Sequence, residues 1–398
     1  MAEAQKFAPK PNGAGEMFQL FRDGETHTRA ELTALTGQSR STIAARLEML
    51  TTLGLIGPAG EANSTGGRPP AVFAFTPAVK LVLAIDQGVT HMGVAVTDLA
   101  ANVLAEHYEP SDIAAGPDRV LPRIVEVGKK LIAESGRPLT DLAAVGIGLP
   151  GPVDHSTGRP INPPIMPGWD DIDVPGILGD KLNAPVLVDN DVNIMALGEH
   201  AKAYPDVDHL LFIKLATGIG AGVIMDGELR RGARGAAGDL GHVAVIGGEE
   251  RLCRCGNYGC LEALASGMAL VDDLGKTDLA VTDLRDVVEA VRRGDLTASG
   301  AVRDAGRQIG EVLATCVSLF NPTLIVIGGI MSEAGNHLLA GIREVVYRRS
   351  LPLATQQLRI ATTEMGSRAG IYGASVMAAE QVLSVNAIEA AINSATAS

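Results

Sequence analysis

The feature that most constrains how this chain folds is a group of three cysteines within eight positions. Cys253, Cys255 and Cys260 follow His242, which lies eleven residues before the first of them. Three thiolates and one imidazole match the closed tetrahedral ligand set of a structural zinc ion, which leaves no open position for catalysis. The two glycines between Cys255 and Cys260 allow the tight turn that such a site needs. The alternative, buried free thiols beside an unrelated histidine, explains the clustering less well in a reducing compartment.

The compartment itself is inferred from the absence of targeting signals. The first residues, MAEAQKFAPKPNG, contain no apolar core segment of a signal peptide, and no apolar run in the sequence is long enough to cross a membrane. We therefore expect a cytoplasmic protein with no membrane partner.

The N-terminal part carries the pattern of a helix-turn-helix. Thr28 and Glu31 have the spacing of a capping box, and Gly37 ends the short helix that this box begins. Ser39 is expected to cap a longer helix, whose apolar residues recur at spacings of four and three up to Leu50. Residues 57–75 follow with glycines, a proline pair and an alternating apolar segment, which predicts a β-hairpin wing.

A helix-turn-helix with a wing is typical of proteins that bind double-stranded DNA, although a small helical cap with a hairpin is the alternative. We expect the recognition helix to present its first turn to the major groove and the wing to reach the minor groove. The candidate DNA-contacting residues are Gln38, Ser39, Arg40, Ser41, Thr42, Arg46 and Arg68.

Charge is distributed unevenly along the chain. The net charge is −13, yet residues 1–80 hold 8 Lys and Arg against 7 Asp and Glu, and the remainder holds 25 against 39. DNA affinity must therefore depend on a few well-placed basic groups and on dimerisation. Aromatic residues make up only 3% of the chain, which argues against binding single strands by base stacking.

With 398 residues the chain is too long for one core, and its texture changes at residue 81. Apolar strand segments such as LVLAID and TLIVIGG alternate with helical segments from there on, which predicts an α/β fold. Glycine-containing loops at 86–93 and 216–222 open two strand-rich blocks, so we expect two lobes around a cleft. The expected divisions are a winged helix over 1–78, a first lobe over 79–203 joined by a C-terminal helix at about 371–385, a second lobe with the zinc site over 204–370, and a fraying tail over 386–398.

Several motifs together resemble the ROK family (repressors, open reading frames and sugar kinases) over essentially the whole chain. These motifs are LAIDQGVT, GLPGPVD, VDNDVN, TGIGAG, GDLGHVAV, CRCGNYGCLE and NPTLIVIGG. The resemblance implies an actin-like pair of α/β lobes, usually assembled as dimers or tetramers. The preceding winged helix matches the repressor branch of the family.

The resemblance also implies a sugar site. Asp191 would be the general base if the chain were a kinase, and His242 would bind zinc through one nitrogen and sugar through the other. Asp239 stands where the kinases usually carry Glu, which withdraws the carboxylate by one methylene. The implied sugar-binding residues are Asn162, Asn190, Asp191, Asp239, His242 and Glu262.

The implied phosphate loops depart further from the kinases. Val89 replaces a glycine in the first loop, and Ala216 and Ala221 replace two in the second, where glycine allows close approach of backbone amides to phosphate. Mg-ATP is therefore expected as a cofactor only if kinase activity is retained. The weakened phosphate-binding set is Asp86, Gly88, Thr90, Thr217, Gly218, Gly220, Gly328 and Gly329.

Three functions are compatible with these residues. The first is a sugar-responsive transcriptional regulator, most simply a repressor, whose partners are operator DNA and a sugar or sugar phosphate. The second is an ATP-dependent sugar kinase, possibly with a DNA-binding role as well. The third is constitutive DNA binding with a C-terminal domain that serves only assembly.

Overall fold

The computed structural model describes residues 13–61 and 70–396. Within these residues the N-terminal domain contains three α-helices, of which α2 and α3 are joined by a three-residue turn, and a small antiparallel sheet of strand order β1-β3-β2 whose first strand precedes α2. Its elements are α1 (Ala14–Phe18), β1 (His27–Thr28), α2 (Arg29–Thr36), α3 (Arg40–Thr52), β2 (Ile56–Glu61) and β3 (Ala71–Phe75). The predicted helix-turn-helix and hairpin are thus present in the described residues.

Local capping explains why the helices begin and end where they do. The Thr28 hydroxyl accepts from the Glu31 N–H at 3.2 Å, and the Glu31 carboxylate accepts from the Thr28 N–H at 2.7 Å. Gly37 ends α2 in the left-handed conformation at φ 68°, and the Ser39 hydroxyl caps α3 by accepting from Thr42 N–H at 3.2 Å. The expected capping box, breaker and cap are all confirmed.

The first lobe is built on a five-stranded sheet of order β10-β7-β4-β5-β6. Strands β4, β5 and β6 form an antiparallel meander, and β7 and β10 continue the sheet in parallel on the other side of β4. The elements are β4 (Leu81–Gln87), β5 (His91–Asp98), β6 (Val103–Pro110), α4 (Pro117–Glu134), β7 (Leu142–Leu149), β8 (Val153–Asp154), β9 (Arg159–Pro160), α5 (Val174–Leu182), β10 (Val186–Asn190) and α6 (Asp191–Ala203).

The second lobe repeats this topology, with strand order β13-β12-β11-β14-β15. An antiparallel meander is again followed by two parallel strands on the far side of its first strand. The elements are β11 (Leu210–Leu215), β12 (Ile219–Met225), β13 (Glu228–Leu229), α7 (Leu261–Ala265), α8 (Gly267–Leu274), α9 (Leu284–Arg292), α10 (Leu296–Phe320), β14 (Leu324–Gly328), α11 (Asn336–Arg349), α12 (Pro352–Thr355) and β15 (Arg359–Thr362). The two strand-rich blocks expected from the sequence are therefore two copies of one sheet topology.

Two helices form the layer between the sheets. Helix α13 (Ala369–Val382) packs on β4 and β7 of the first lobe, α6 packs on β11 and β12 of the second, and the two helices pack on each other. The two helices cross so closely that no side chain fits between their backbones at the crossing point. A Cβ added to Gly373 would lie 1.7 Å from the Ile194 carbonyl oxygen, and one added to Gly198 would lie 2.0 Å from that of Ala369.

The C-terminal segment corrects one expectation. Residues 386–398 were expected to fray, but α14 (Val385–Thr396) is a helix that buries Ile388 and Ile392 against the N-terminal domain. Glu389 accepts from the Gly15 N–H at 2.8 Å, and Gln19 donates to the Leu383 carbonyl at 2.9 Å. The apolar face escaped notice because only two isoleucines, four residues apart, interrupt an Ala- and Ser-rich sequence.

The N-terminal domain is thereby joined to the C-terminal helices by a continuous apolar core. Phe18, Phe21 and Leu47 of the N-terminal domain belong to the same cluster as Ala378 and Leu383. No helix within residues 13–61 and 70–396 is long and apolar enough to cross a membrane.

The helix crossing predicts the effect of a single methyl group. Gly373→Ala should lower the free energy of unfolding by about 2–3 kcal/mol, because the new Cβ must push α6 and α13 apart. Gly300→Ala in α10 is the matched control, since no atom lies within 4 Å of its added Cβ. It should be neutral or stabilise by up to about 1 kcal/mol through helix propensity. Both values are measured by urea unfolding followed by circular dichroism, and equal stabilities for the two variants would contradict the close crossing.

Candidate functional site

A cleft of about 1500 Å³ opens between the two lobes. The first lobe supplies the ends of β4 and β7 and the start of α6 to its walls, and the second supplies the β11–β12 turn and the start of α7. Five of the six sequence-predicted sugar-site residues line this cleft: Asn190, Asp191, Asp239, His242 and Glu262.

Asn190 and Asp191 are held by the junction of β10 and α6. Asn190 is the N-cap of α6: its side-chain oxygen accepts from Val192 N–H at 2.9 Å, and its amide nitrogen donates to the Gly151 carbonyl at 2.7 Å. Asp191 is the first residue of α6, and it is buried with its carboxylate 2.5 Å from the Lys214 ammonium group. The junction therefore fixes the carboxylate at the cleft wall.

Glu262 and Asp239 face the cleft from the second lobe. One Glu262 carboxylate oxygen accepts from the Ile219 N–H at 3.1 Å, and a Cβ on Gly218 would lie 2.4 Å from the same oxygen. The β11–β12 turn therefore needs glycine at 218 to accommodate Glu262. The Asp239 side chain is 59% exposed, and its carboxylate lies 3.9 Å from Nε2 of His242.

The predicted zinc ligands converge. The ligand atoms of His242, Cys253, Cys255 and Cys260 all lie within 4.8 Å of one another. Tetrahedral zinc with Zn–S near 2.3 Å and Zn–N near 2.0 Å requires about 3.8 Å between two sulfurs and about 3.5 Å between sulfur and nitrogen. The Cys255–Cys260 sulfur distance and the distance from Cys253 Sγ to His242 Nδ1 are both 3.7 Å. The four residues therefore fit a zinc ion.

The loop that carries these ligands has little core of its own. Gly256 and Gly259 adopt φ of 90° and 76°, as the tight turn requires, while Ile246, Leu252 and Tyr258 are largely exposed. His242 turns Nδ1 toward the cysteines and leaves Nε2 on the Asp239 side. This orientation agrees with the expected division of its two nitrogens between metal and cleft.

Asn162, the sixth predicted sugar-site residue, lies apart from the other five. Asn162 lies in an exposed turn at φ 43°, where its N–H donates to the Asp170 carboxylate at 2.7 Å, and it does not line the cleft. Pro164 and Ile165 of the same segment do.

The two loops predicted to bind phosphate are the β4–β5 and β11–β12 turns, which face the cleft from opposite lobes. Gly88 and Gly328 do not line the cleft, and the Gly88 N–H is already donated to the His91 carbonyl at 2.9 Å. Val89 lies on the cleft wall and packs against the first-lobe core. The members of the predicted phosphate set that line the cleft are Asp86, Thr90, Thr217, Gly218, Gly220 and Gly329.

The candidate DNA contacts lie at the start of α3. Ser39, Arg40 and Ser41 are exposed there, and Gln38, Thr42 and Arg46 are partly buried. The Ser39 hydroxyl lies 2.8 Å from the hydroxyls of both Ser41 and Thr42. Arg68, the predicted wing residue, lies outside the described residues.

Sequence reasoning missed two ion pairs that join the lobes beside the cleft. Asp189 of β10 accepts from Nε of Arg231 at 2.6 Å, and Asp154 of β8 accepts from Arg234 at 2.7 Å. Hydrogen bonds from Ser156 and Arg234 lower the pKa of Asp154 to about 2. The signal was available, since Arg231 and Arg234 are the cations of a glycine-rich segment, but their partners are 42 and 80 residues away.

Sequence reasoning also missed Lys214, although its signal is clear. It is a single charged residue in the strand LLFIKL, five of whose six residues are buried. A lysine in such a strand needs a partner, and here the partner is Asp191.

Comparison with known proteins agrees with the fold and the cleft. The chain belongs to the ROK family, whose model matches residues 82–381. This confirms the expected family, and the actin-like pair of lobes is confirmed with it.

The relatives differ in how much of this chain they cover. The xylose repressor of Caldicellulosiruptor bescii is 27% identical and covers 91% of this chain and 94% of its own length. The glucokinase of Halalkalibacterium halodurans is 31% identical and covers 75% of this chain and 94% of its own. A crystal structure of a ROK family transcriptional regulator, a homologue of the E. coli Mlc protein, matches with a TM-score of 0.81 at 25% identity, covering 95% of this chain and 98% of its own.

The metal site predicts a simple stoichiometry. The purified protein should hold one zinc ion per chain, and Cys255→Ser should lose it, because serine removes one of the three thiolates. Cys316→Ala is the matched control, since Cys316 is buried in α10 and is not part of the cluster. Elemental analysis after dialysis measures both. Full zinc content in Cys255→Ser would contradict the assigned ligands.

Proposed function

We propose that this ROK protein is a sugar-responsive transcriptional regulator, acting as a repressor, that binds operator DNA through its winged helix. The single observation that carries the proposal is the shared helix layer, because it links the cleft to the DNA-binding domain. Asp191 begins α6, α6 packs against α13, and α13 and α14 share one apolar core with the winged helix.

This series of contacts would allow a ligand bound in the cleft to affect the winged helix. A sugar that binds between the lobes changes how far they close, and the helix layer lies between the two sheets. The movement would reach the winged helix through α13 and α14, which also hold it by the Arg22–Glu380 ion pair. Linkage requires only that the sugar binds the closed and open forms with different affinity.

The chemistry of the cleft favours an uncharged sugar over a sugar phosphate. Within the described residues, seven carboxylate side chains line the cleft against only one lysine and one arginine. Such a wall offers many acceptors to ring hydroxyls but repels a phosphate dianion. Named relatives include xylose repressors and an N-acetylglucosamine repressor.

The zinc ion would have a structural role. It would bind the loop that carries His242 and direct Nε2 of that residue to the cleft, so that metal loss would disturb the sugar site. The operator would be a double-stranded, two-fold site bound by a homodimer or a tetramer, since one winged helix with few basic groups binds DNA weakly.

A sugar kinase is the second candidate. The similarity to glucokinase and the retained Asp191 favour it. Release of ADP from Mg-ATP that depends on sugar would establish it, and the replaced glycines of both phosphate loops count against it.

The sugar response is tested with DNA selected from random duplexes by the purified protein. Binding followed by fluorescence anisotropy should weaken about ten-fold or more with D-xylose, D-glucose or N-acetylglucosamine, because one of them favours the closed form. Asp239→Asn should shift the sugar concentration needed, since it alters a cleft carboxylate. Asp226→Asn, in an exposed turn, should not.

Two outcomes contradict the proposal. Operator affinity that no sugar in a broad panel of neutral sugars and sugar phosphates changes would favour constitutive binding. Sugar-dependent ADP release by the wild-type chain, measured in parallel, would favour the kinase.

The DNA contact predicts a second effect. Arg40→Ala should weaken binding about ten-fold and reduce the dependence of the logarithm of affinity on salt by about one ion per protomer, because a phosphate contact is lost. Arg348→Ala, an exposed arginine of the second lobe, should leave both unchanged. Equal effects of the two substitutions would remove α3 from the DNA interface.

A further inference from the structure

Lys214 occupies the position in the second lobe that Asp86 occupies in the first. Each is the penultimate residue of the first strand of its sheet, β11 or β4, immediately before a phosphate-loop turn. Each also pairs with a glycine on both neighbouring strands: Asp86 with Gly93 and Gly148, and Lys214 with Gly220 and Gly328. The duplicated topology therefore presents opposite charges at equivalent places.

One of the glycines beside Lys214 explains how a long side chain fits there. Residues paired across neighbouring strands point to the same face of the sheet. The Phe212 ring fills the space above Gly328, where an added Cβ would lie 2.3 Å from it, so the room for the lysine is on the Gly220 side. The same face packs on α6, because a Cβ on Gly220 would lie 3.4 Å from Val192. The lysine side chain therefore extends toward the start of α6, where Asp191 lies.

The contact made there is a mostly buried ion pair. The Lys214 side chain is 17% exposed and that of Asp191 is 8% exposed, with 2.5 Å between the ammonium nitrogen and a carboxylate oxygen. Burial alone would lower the pKa of Lys214, but the carboxylates of Asp191 and Asp86 outweigh it and raise the pKa above its ordinary value. The lysine is therefore a permanent cation beside two carboxylates.

A magnesium nucleotide does not fit this arrangement. Phosphoryl transfer needs a divalent cation held by carboxylates near the transferred group and a carboxylate free to accept the proton of the sugar hydroxyl. Here a lysine ammonium already neutralises Asp191, and the Val89 side chain lies on the wall of the phosphate loop.

We propose that Lys214 is a specificity-determining residue of the cleft, whose ammonium group is the fixed counter-ion of Asp191 and replaces the divalent cation that a nucleotide would bring. The cleft then binds a neutral sugar without metal or nucleotide. Asp191 serves as an acceptor for a sugar hydroxyl, and the ammonium group has two further N–H donors beyond the one given to Asp191. The inference rests on the proposed sugar-binding function of the cleft.

The test uses Mn²⁺ as a probe of the position that the Lys214 ammonium group leaves empty when the lysine is replaced. Zinc-loaded full-length protein is titrated with Mn²⁺, and free Mn²⁺ is measured by electron paramagnetic resonance. Lys214→Ala should gain one site that binds Mn²⁺ about ten-fold more tightly than any site in the wild type, because the Asp191 carboxylate loses its counter-ion in a cleft that Asp86 also lines. Lys214→Arg, which keeps the charge, and Lys276→Ala, at an exposed lysine of the second lobe, should match the wild type.

A double variant provides a control in case Lys214→Ala does not fold. Removing the lysine alone leaves a buried carboxylate unpaired and can destabilise the chain, whereas Lys214→Met with Asp191→Asn removes both charges. The double variant should be more stable to heat than Lys214→Ala in metal-free buffer and should lack the new Mn²⁺ site. If Lys214→Ala is unfolded without Mn²⁺, added Mn²⁺ should raise its melting temperature and leave that of the double variant unchanged.

The outcomes separate this inference from the proposed function. Mn²⁺ binding that is the same in the wild type and Lys214→Ala, or that persists in the double variant, would overturn it whatever the protein regulates. The expected Mn²⁺ pattern together with no sugar effect on DNA binding would leave the counter-ion role in place and refute the sugar response.

Discussion

The structure depends on the contact between α6 and α13, where two helices cross with no side chain between them. Gly198 and Gly373 permit this approach, and the two backbones come close enough that a single methyl group would collide with a carbonyl oxygen. Each helix covers the sheet of a different lobe. The same contact therefore holds the lobes together, places Asp191 at the cleft, and gives the winged helix a rigid support to pack on.

The walls of the cleft beside that contact carry many carboxylates and few cations. Lys214 neutralises the Asp191 carboxylate, while Arg231 and Arg234 join Asp189 and Asp154 across the lobes. Such buried or half-buried pairs contribute little net stability, because desolvation offsets much of the attraction. They do fix which groups face one another, so they specify the geometry of the cleft more than they stabilise the fold.

A feature could be predicted from the sequence when the residues that create it lie close together along the chain. The capping box at Thr28, the left-handed Gly37 and the four zinc ligands depend on residues within about twenty positions of one another, and the sequence predicts them. The family motifs predict the two lobes. The Lys214–Asp191 pair, the ion pairs between the lobes and the packing of α14 join segments that only the fold brings together, and sequence reasoning missed them. Asn162 was predicted from its motif alone, and the structure has it in an exposed turn with a left-handed backbone conformation that does not line the cleft.

The packing of α14 has a consequence for the order in which the chain is made. The apolar core of the N-terminal domain includes Phe18 and Phe21 but also Leu383, Ile388 and Ile392, which follow the second lobe in the chain. During synthesis the helix-turn-helix leaves the ribosome more than 300 residues before the helix that completes its core. A chain that stops before Val385 therefore lacks part of the apolar core on which the N-terminal domain packs, so its helix-turn-helix is expected to be less stable than in the chain that contains α14. The stability of the domain that is synthesised first is in this way tied to a segment that is synthesised much later.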